Sequence, residues 1–353
     1  MSRSDAVWSE QGTTPDAIEA AVRQLMIEVH SERPEYVSAR VLNMIAFVDR
    51  EWSGEIANRL RGVGRYHASR MVVLSYEPHR ERLDARVMIA ADEDPKPGEL
   101  ALLHETIVVE LGDRHLGDLL TIADPLVVTD LPTLLWSPHG HYDIVSDLMP
   151  LAQAVLMDSV VEPDAREALD RALEMTEHAY VVDLAWLRST PWRERVAALF
   201  DPPQMRRELD ALSTVTVRHH SASTVAAALL LGWLGSRLQW QTNPLVAHGQ
   251  ELLGSARGRR QEVALRLQTA PELLVPGLEG LTVEMASGRR LSLDRGPGGL
   301  RAHSAGAGEP EREWTIPGAS RGETGVLGEG IRQALLRDPT YVPALKAART
   351  LLA

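Results

Sequence analysis

Apolar positions along the chain change period several times, and each change marks an element. Ile18, Val22, Leu25, Met26 and Val29 recur at helical spacing behind Thr14-Pro15, a cap followed by a first-turn proline, and predict an amphipathic helix to about residue 30. Residues 39–48 form a nearly continuous apolar run suited to a strand buried on both faces, followed by a helix over 52–63 and a strand over 71–76. That is a βαβ unit. Two further strands, 83–90 and 106–111, flank an acidic, proline-containing loop at 91–99 and predict a hairpin. A short helix at 116–122, a strand at 133–136, a helix at 142–148 and a strand at 151–157 complete an N-terminal three-layer α/β domain with a mostly parallel sheet, residues 1–158.

Residues 159–353 read as a second α/β domain that ends in an antiparallel meander and C-terminal helices. A helical pattern over 163–180 precedes a strand at 181–187, helices across 192–212, a strand at 215–218 and an apolar core helix over 221–240. Short alternating segments then follow at 263–267, 281–285, 290–293, 300–303 and 313–316, separated by turns such as Gly296-Pro297-Gly298-Gly299. Helices at 324–337 and 341–352 close the chain. The apolar run 225–235 is closed by Arg237 and Gln239 after about half of the ~20 residues a bilayer requires, so it belongs to a core.

Composition narrows the function classes. The 353 residues carry 37 Lys and Arg against 49 Asp and Glu, a formal charge of −12, which repels nucleic acid and anionic membrane surfaces. The chain has no cysteine, which excludes disulfides, thiolate chemistry and sulfur-ligated metals. Residues 1–11 contain Asp5 and Glu10 and lack the apolar run of a signal peptide, so a cytoplasmic location is expected.

Three clusters carry candidate chemistry. The first is Asp183–Arg195, where Thr190 can cap a helix and Pro191 fits its first turn. Arginines at a helix start oppose the macrodipole, so Arg193 and Arg195, with Arg188, Trp186 and Trp192, need an acceptor that helix stability does not supply. Either they face a partner, or the tryptophans pack between sheet and helix while the arginines meet internal acids. In the second cluster, Trp136, His139 and His141 follow a strand, where α/β folds present binding residues. Even with His219 and His220 these histidines form only two pairs, short of a placed set of three or four ligands, and no metal is expected. The third cluster is Arg59, Arg61, Arg65, His67 and Arg70 around Gly62-Val63-Gly64, either a phosphate grip or a helix C-terminus favoured by cations. The match to a dinucleotide fingerprint fails there, because Arg-Tyr-His follows the second glycine. The chain also lacks a Gly-x-Ser-x-Gly elbow, a Gly-Lys-Ser/Thr phosphate loop and His-Glu-x-x-His, so no catalytic residue and no cofactor is assigned.

Four segments together resemble the OpcA family, the glucose-6-phosphate dehydrogenase assembly proteins. They are 60–70 (Leu-Arg-Gly-Val-Gly-Arg-Tyr-His-Ala-Ser-Arg), 130–141 (Asp-Leu-Pro-Thr-Leu-Leu-Trp-Ser-Pro-His-Gly-His), 179–195 (Ala-Tyr-Val-Val-Asp-Leu-Ala-Trp-Leu-Arg-Ser-Thr-Pro-Trp-Arg-Glu-Arg) and 215–220 (Val-Thr-Val-Arg-His-His) with the helix through Trp233 and Trp240. The resemblance implies a non-catalytic protein that binds glucose-6-phosphate dehydrogenase and promotes its assembly or allosteric activation, supporting the oxidative pentose phosphate pathway and NADPH supply. Partner-binding candidates are then Trp186, Arg188, Trp192, Arg193, Arg195, Trp136, His139 and His141, since tryptophan and arginine are enriched at interface hot spots. The rival expectation is a sugar-phosphate-binding sensor or enzyme that uses Arg59, Arg61, Arg65, His67 and Arg70 with the histidines.

Overall fold

The computed structural model describes residues 6–38, 40–64, 69–91, 101–306, 308, 310–317 and 322–353. These form two compact units that alternate along the chain. One holds the residues up to Met157 together with His178–Val182 and Glu323–Arg337, and the other holds Asp158–Glu177, Asp183–Gly322 and Asp338–Ala353.

The first unit is built on a nine-stranded sheet of β1 (Ala6–Glu10), β2 (Tyr36–Val37), β3 (Leu42–Asp49), β4 (Ser69–Tyr76), β5 (Asp84–Ala91), β6 (Ala101–Leu111), β7 (Thr133–Trp136), β8 (Ala154–Met157) and β9 (Tyr180–Asp183). The order is β1-β5-β6-β4-β3-β7-β8-β9, with β2 beside β6. The pairs β6–β4, β4–β3, β3–β7 and β7–β8 are parallel, while β5–β6 and β1–β5 are antiparallel. The expected hairpin and mostly parallel sheet are therefore present. Every side chain of Leu42–Val48 is buried, as its unbroken apolar run requires of a strand covered on both faces. The polar exception, Asn43, satisfies its amide fully: it donates to the carbonyls of Val128 and Leu131 and to Thr133 Oγ1, and it accepts from Val128 N–H. The run 6–10, which the hydropathy pattern did not mark, lies on the edge of this sheet because it pairs with β5.

Among the described residues, the α-helices of the first half of the chain are α1 (Pro15–Glu32), α2 (Arg50–Gly64), α3 (Leu119–Ala123) and α4 (Tyr142–Leu148). Thr14 Oγ1 accepts from Ala17 N–H and Pro15 occupies the first turn of α1, as the sequence predicts.

The second unit contains α5 (Ala165–Thr176), α6 (Leu184–Arg188), α7 (Thr190–Leu199), α8 (Pro203–Glu208) and α9 (Thr224–Arg237). Its sheet comprises β10 (Leu212–His219), β11 (Gln241–Thr242), β12 (Val246–His248), β13 (Glu251–Arg257), β14 (Glu262–Thr269), β15 (Leu278–Met285), β16 (Arg290–Gly296), β17 (Gly299–Ala305) and β18 (Arg312–Pro317). The order is β11-β13-β14-β10-β15-β16-β17-β18, with β12 beside β13. The expected meander is β15 to β18, antiparallel throughout. The segment expected as its first strand lies elsewhere: β14 pairs with the opposite side of β10, in parallel. At the chain's end, α10 (Gly322–Leu336) falls in the first unit and α11 (Tyr341–Leu351) in the second.

The expected strand 181–187 stops at Asp183. The Asp183 carboxylate accepts from Ala185 N–H and caps α6, so the apolar run Leu184–Leu187 is helical. A short apolar run does not distinguish strand from helix by period alone. The cap of α7 is Ser189 rather than Thr190, with Pro191 still in the first turn. The helices expected across 192–212 are α7 and α8, separated at Pro202-Pro203, and the core helix over 221–240 narrows to α9 after a short 3₁₀ turn at Ser221–Ser223. Among the described residues, no helix is long and apolar enough to cross a membrane.

Candidate functional site

In the first unit, β6-β4-β3-β7-β8-β9 follows the 3-2-1-4-5-6 order of a doubly wound sheet. Such sheets bind ligands outside the strand ends where the order reverses, here between β3 and β7. Asp49 closes β3 and His141 follows β7, and they meet there: His141 Nε2 lies 3.0 Å from Asp49 Oδ1. The His141 ring packs edge-on to Phe47 at 5.2 Å and to Tyr76 at 6.2 Å, and Phe47 stacks on Tyr76 at 5.9 Å. The chain's own rings thus pack together beside the carboxyl ends of β3 and β4. Gly140 (φ 95°) and His141 (φ 58°) both have left-handed backbone, which turns the chain sharply into α4, and Ile144 and Val145 N–H donate to the His141 carbonyl.

A dinucleotide site needs a glycine-rich loop between the first strand and its helix. Here β3 passes straight into α2 through Asp49-Arg50-Glu51, so no glycine-rich loop separates them and charged side chains stand at the helix start. His139, exposed but partly shielded from water beside Trp52, whose ring lies 5.4 Å from its own, has its pKa held below the usual value by this partial desolvation against the pull of Asp49 and Glu55. Tyr76 donates to Asp113, which raises the phenol and lowers the carboxyl. Trp136 is buried at the end of β7, in register with Ala46.

The arginine cluster is split. Arg70 is buried, donating from Nε to Glu105 Oε2 at 2.8 Å and from Nη1 to the Leu126 carbonyl. Glu105, 1% exposed, also accepts from Ser38 and Arg40. Arg59 pairs with Glu55 one turn back on α2. The Arg61 side chain, Arg65 and His67 lie outside the described residues. Of the expected phosphate grip, the described arginines are thus each engaged with a carboxylate of the same unit.

In the second unit, the Asp183–Arg195 segment folds onto itself. Trp186, Trp192 and Arg193 are 2%, 6% and 8% exposed, so these three expected contact residues face the interior. The Arg193 guanidinium lies 3.4 Å over the Trp186 ring and donates to the Trp186 carbonyl, Ser189 Oγ and Thr190 Oγ1. The acceptor that helix physics demanded is the carbonyl end of α6, whose partial negative charge favours a cation even though the start of α7 does not. Burial lowers the Arg193 pKa to about 10, partly offset by Asp338. Trp186 Nε1 donates to Asp338 Oδ2 at 2.8 Å and its ring sits 5.5 Å from Tyr341. Burial would raise Asp338, but hydrogen bonds from Thr340 and Trp186 and the nearby Arg193 hold it below its usual value. Arg188 is held by Asp158 through two 2.8 Å contacts, and Arg195 donates to the carbonyls of Pro191 and Pro317.

The centre of this knot is Asp183, 1% exposed. It accepts from Ser159 Oγ at 2.6 Å, Ala185 N–H at 2.9 Å, Tyr341 OH at 3.1 Å and Ser159 N–H at 3.2 Å. Burial pushes its carboxyl up to about 6 despite these donors. The roles of Asp183 and Asp338 were not legible in the sequence, because beside a donor two residues on each is held by partners 24 to 158 residues away: Ser159 and Tyr341 for Asp183, Trp186 for Asp338. His219 is buried with Nδ1 on the His220 carbonyl, and His220 accepts from Ala222 N–H. Among the described residues, no group of three His, Asp or Glu side chains is placed to hold a metal ion.

The doubly wound unit without a phosphate loop, joined to a second unit with a mostly antiparallel sheet, defines the class of protein. Comparison with known families identifies it further. A model described as the glucose-6-phosphate dehydrogenase subunit N-terminal domain matches residues 61–174, and one described as its C-terminal domain matches 179–345. The chain belongs to the OpcA family of glucose-6-phosphate dehydrogenase assembly proteins.

Curated relatives include two proteins named "Putative OxPP cycle protein OpcA". The one from Synechocystis sp. is 29% identical over 119 residues, and the one from Nostoc punctiforme is 32% identical over 120. These matches cover 33% of this chain but only 25% and 26% of the relatives, about a quarter of their length. Among solved structures, the chain resembles a Gal80p super-repressor mutant from Saccharomyces cerevisiae at 10% identity and a TM-score of 0.49, covering 88% of this chain and 94% of that one. It also resembles the WlbA dehydrogenase from Thermus thermophilus at 15% identity and a TM-score of 0.43, with the same two coverages.

Proposed function

We propose that this chain binds glucose-6-phosphate dehydrogenase and promotes its assembly or activation without catalysing a reaction itself, feeding the oxidative pentose phosphate pathway. The observation that carries this reading is the pair of family matches over 61–174 and 179–345, which take in both units. The charged Asp49-Arg50-Glu51 turn supports it further, because it occupies the place where an enzyme of this sheet order would seat a cofactor's pyrophosphate. Preferential binding to the active oligomer is enough to raise its population. Trp186, Trp192 and Arg193 then act as a scaffold that fixes Arg188 and Arg195, the more exposed members of the cluster.

The test is to co-express the two proteins, purify the complex, and measure the dehydrogenase's oligomeric state and specific activity with and without this chain. A complex with a shifted oligomer distribution or raised activity is expected. Absence of any complex refutes the reading. A complex without kinetic or oligomeric change reduces the chain to a scaffold. Calorimetry with glucose 6-phosphate, 6-phosphogluconate and NADP is expected to give no tight binding, since Arg70 is committed to Glu105. Micromolar binding of a sugar phosphate favours the sensor instead.

A further inference from the structure

Three arginines of the second unit's sheet meet acids across its strands: Arg218 pairs with Asp294, Arg301 with Glu313 at 3.1 Å and Arg290 with Glu284 at 3.9 Å. The turn end of the β13–β14 hairpin is different. Residues 236–243, which lead from the end of α9 into β11, and residues 256–261, which turn β13 into β14, hold Arg237, Arg257, Arg259 and Arg260 and no Asp or Glu. All four arginines are exposed, and among the described residues none of them is in an ion pair. Glu262, which follows the turn, stands opposite Arg257 in the register and offsets at most one of the four charges. A chain with a formal charge of −12 thus carries a local patch of uncompensated positive charge.

The backbone of this patch is fixed. Gly258 N–H donates to the Gln261 carbonyl at 3.0 Å and closes the turn, and Gln261 Nε2 donates to the carbonyls of Ala211 and Leu212 at 2.9 and 2.7 Å. A Cβ on Gly258 would lie 3.5 Å from Trp240 Nε1, so the indole packs against the turn. Arg259 Nη2 donates to Gln239 Oε1 at 2.9 Å, and Gln241 of β11 is in register with Arg257. These contacts set the hairpin arginines beside the C-terminal end of α9, whose last turn supplies Arg237. A backbone ordered before an anion arrives lowers the ordering cost of binding it.

We infer that Arg237, Arg257, Arg259 and Arg260 form a docking patch for a carboxylate-rich surface of a partner protein, glucose-6-phosphate dehydrogenase in the reading above, on which this inference rests. The sign of the occupant follows from the patch itself. Guanidinium groups without an internal acid draw carboxylates and take their oxygens two at a time. Extended polyanions fit less well, because the net charge of −12 repels a duplex or an anionic bilayer beyond the patch. None of the exposed large apolar side chains among the described residues lies in 236–243 or 256–261, so the patch lacks what seats a chain in lipid. Trp240, partly buried against Gly258, adds a residue type enriched at interface hot spots.

The experiment uses the full chain with purified glucose-6-phosphate dehydrogenase in surface plasmon resonance at several salt concentrations. Wild type is compared with Arg259→Glu plus Arg260→Glu and with a charge-matched control, Arg82→Glu plus Arg166→Glu, which changes two exposed arginines outside the patch that form no ion pair among the described residues. Circular dichroism and the thermal midpoint check folding, which both variants should retain because all four side chains are exposed. The patch variant is expected to lose at least about tenfold in affinity and to show a shallower salt dependence, while the control stays close to wild type. Unchanged affinity of the folded patch variant with wild type still binding, or an equal loss in the control, overturns the patch and leaves the assembly reading standing. Failure of wild type to bind overturns both. Binding of wild type to phosphatidylglycerol vesicles or duplex DNA that the patch variant lacks would assign the patch to another anion and overturn the inference.

Discussion

Asp183 sets a measurable pH dependence on the second unit. Its carboxyl has an ordinary value of 3.8 and is pushed up to about 6 by burial, so between those values the folded chain binds a proton that the unfolded chain releases. Stability contributed by this group is therefore complete below about pH 4 and lost as pH rises through about 6. At 1.36 kcal/mol per pH unit, the gap amounts to about 3 kcal/mol. Asp183→Asn removes the ionisation while keeping the contacts. Its amide oxygen can accept from Ser159 and Ala185 N–H, and its amide nitrogen can donate to Ser159 Oγ and Tyr341 OH, hydroxyls that also accept. Urea unfolding followed by circular dichroism, run on both chains from pH 4.5 to 8, isolates this residue because every other titrating group is common to the two. The variant is expected to exceed wild type by about 1 kcal/mol near pH 4.5, and the gap widens to about 3 kcal/mol near pH 7.5. Asp183→Ala, which strands four donors, is expected to lose about 3 kcal/mol or more at every pH. A stability difference between the Asn variant and wild type that does not change with pH would refute the assignment of a raised carboxyl.

Other sites give sharper local tests. Gly232→Ala on α9 puts a Cβ 2.4 Å from the Ala344 carbonyl oxygen and 2.7 Å from Ala348 N of α11, and should cost about 2–3 kcal/mol. Gly54→Ala on α2 meets nothing within 4 Å and should gain about 0.5–1 kcal/mol, so equal thermal shifts of the two variants would contradict the packing argument. Glu105→Gln leaves the buried Arg70 with a neutral partner and should cost about 3 kcal/mol in urea unfolding; a change below about 1 kcal/mol would show the ion pair to be dispensable. Arg193→Lys gives up the planar stack on Trp186 and cannot reach the Trp186 carbonyl, Ser189 and Thr190 together, at about 1–3 kcal/mol, with altered tryptophan emission as a second readout.

Periodicity located the elements whose burial is set by their own sequence. The run ending at Val48, the Thr14-Pro15 helix start and the meander from β15 to β18 follow from local patterns of apolar residues, caps and turns. What the pattern missed depends on partners distant in sequence. β1 and β13 are strands because β5 and β14 supply their hydrogen bonds, and β13 contains Gly254-Ser255, which blurs its alternation. No local signal says that β14 should sit parallel to β10, or that α10 should join the first unit and α11 the second. The strand expected across 181–187 failed at Asp183 for the same reason: the residue that ends it is held by Ser159 and Tyr341, far off in sequence.

The Trp/Arg segment leaves two neighbours open on sequence grounds, a partner or an internal group, and Arg193 has the internal one. Helix electrostatics correctly required an acceptor for Arg193, since a cation at a helix start has none in its own helix. Either a partner's acid or an internal group could satisfy that requirement, and the strand expected over 181–187 hid the internal one: the Trp186 carbonyl lies only seven residues back, but it is presented only because the chain after Asp183 is helical. A motif distinctive of a family therefore need not touch the family's partner. It can be distinctive because the fold of one unit depends on it, as the burial of Trp186, Trp192 and Arg193 does here. The two roles separate by experiment, because a scaffold variant lowers unfolding stability and partner affinity together, whereas a surface variant lowers affinity alone.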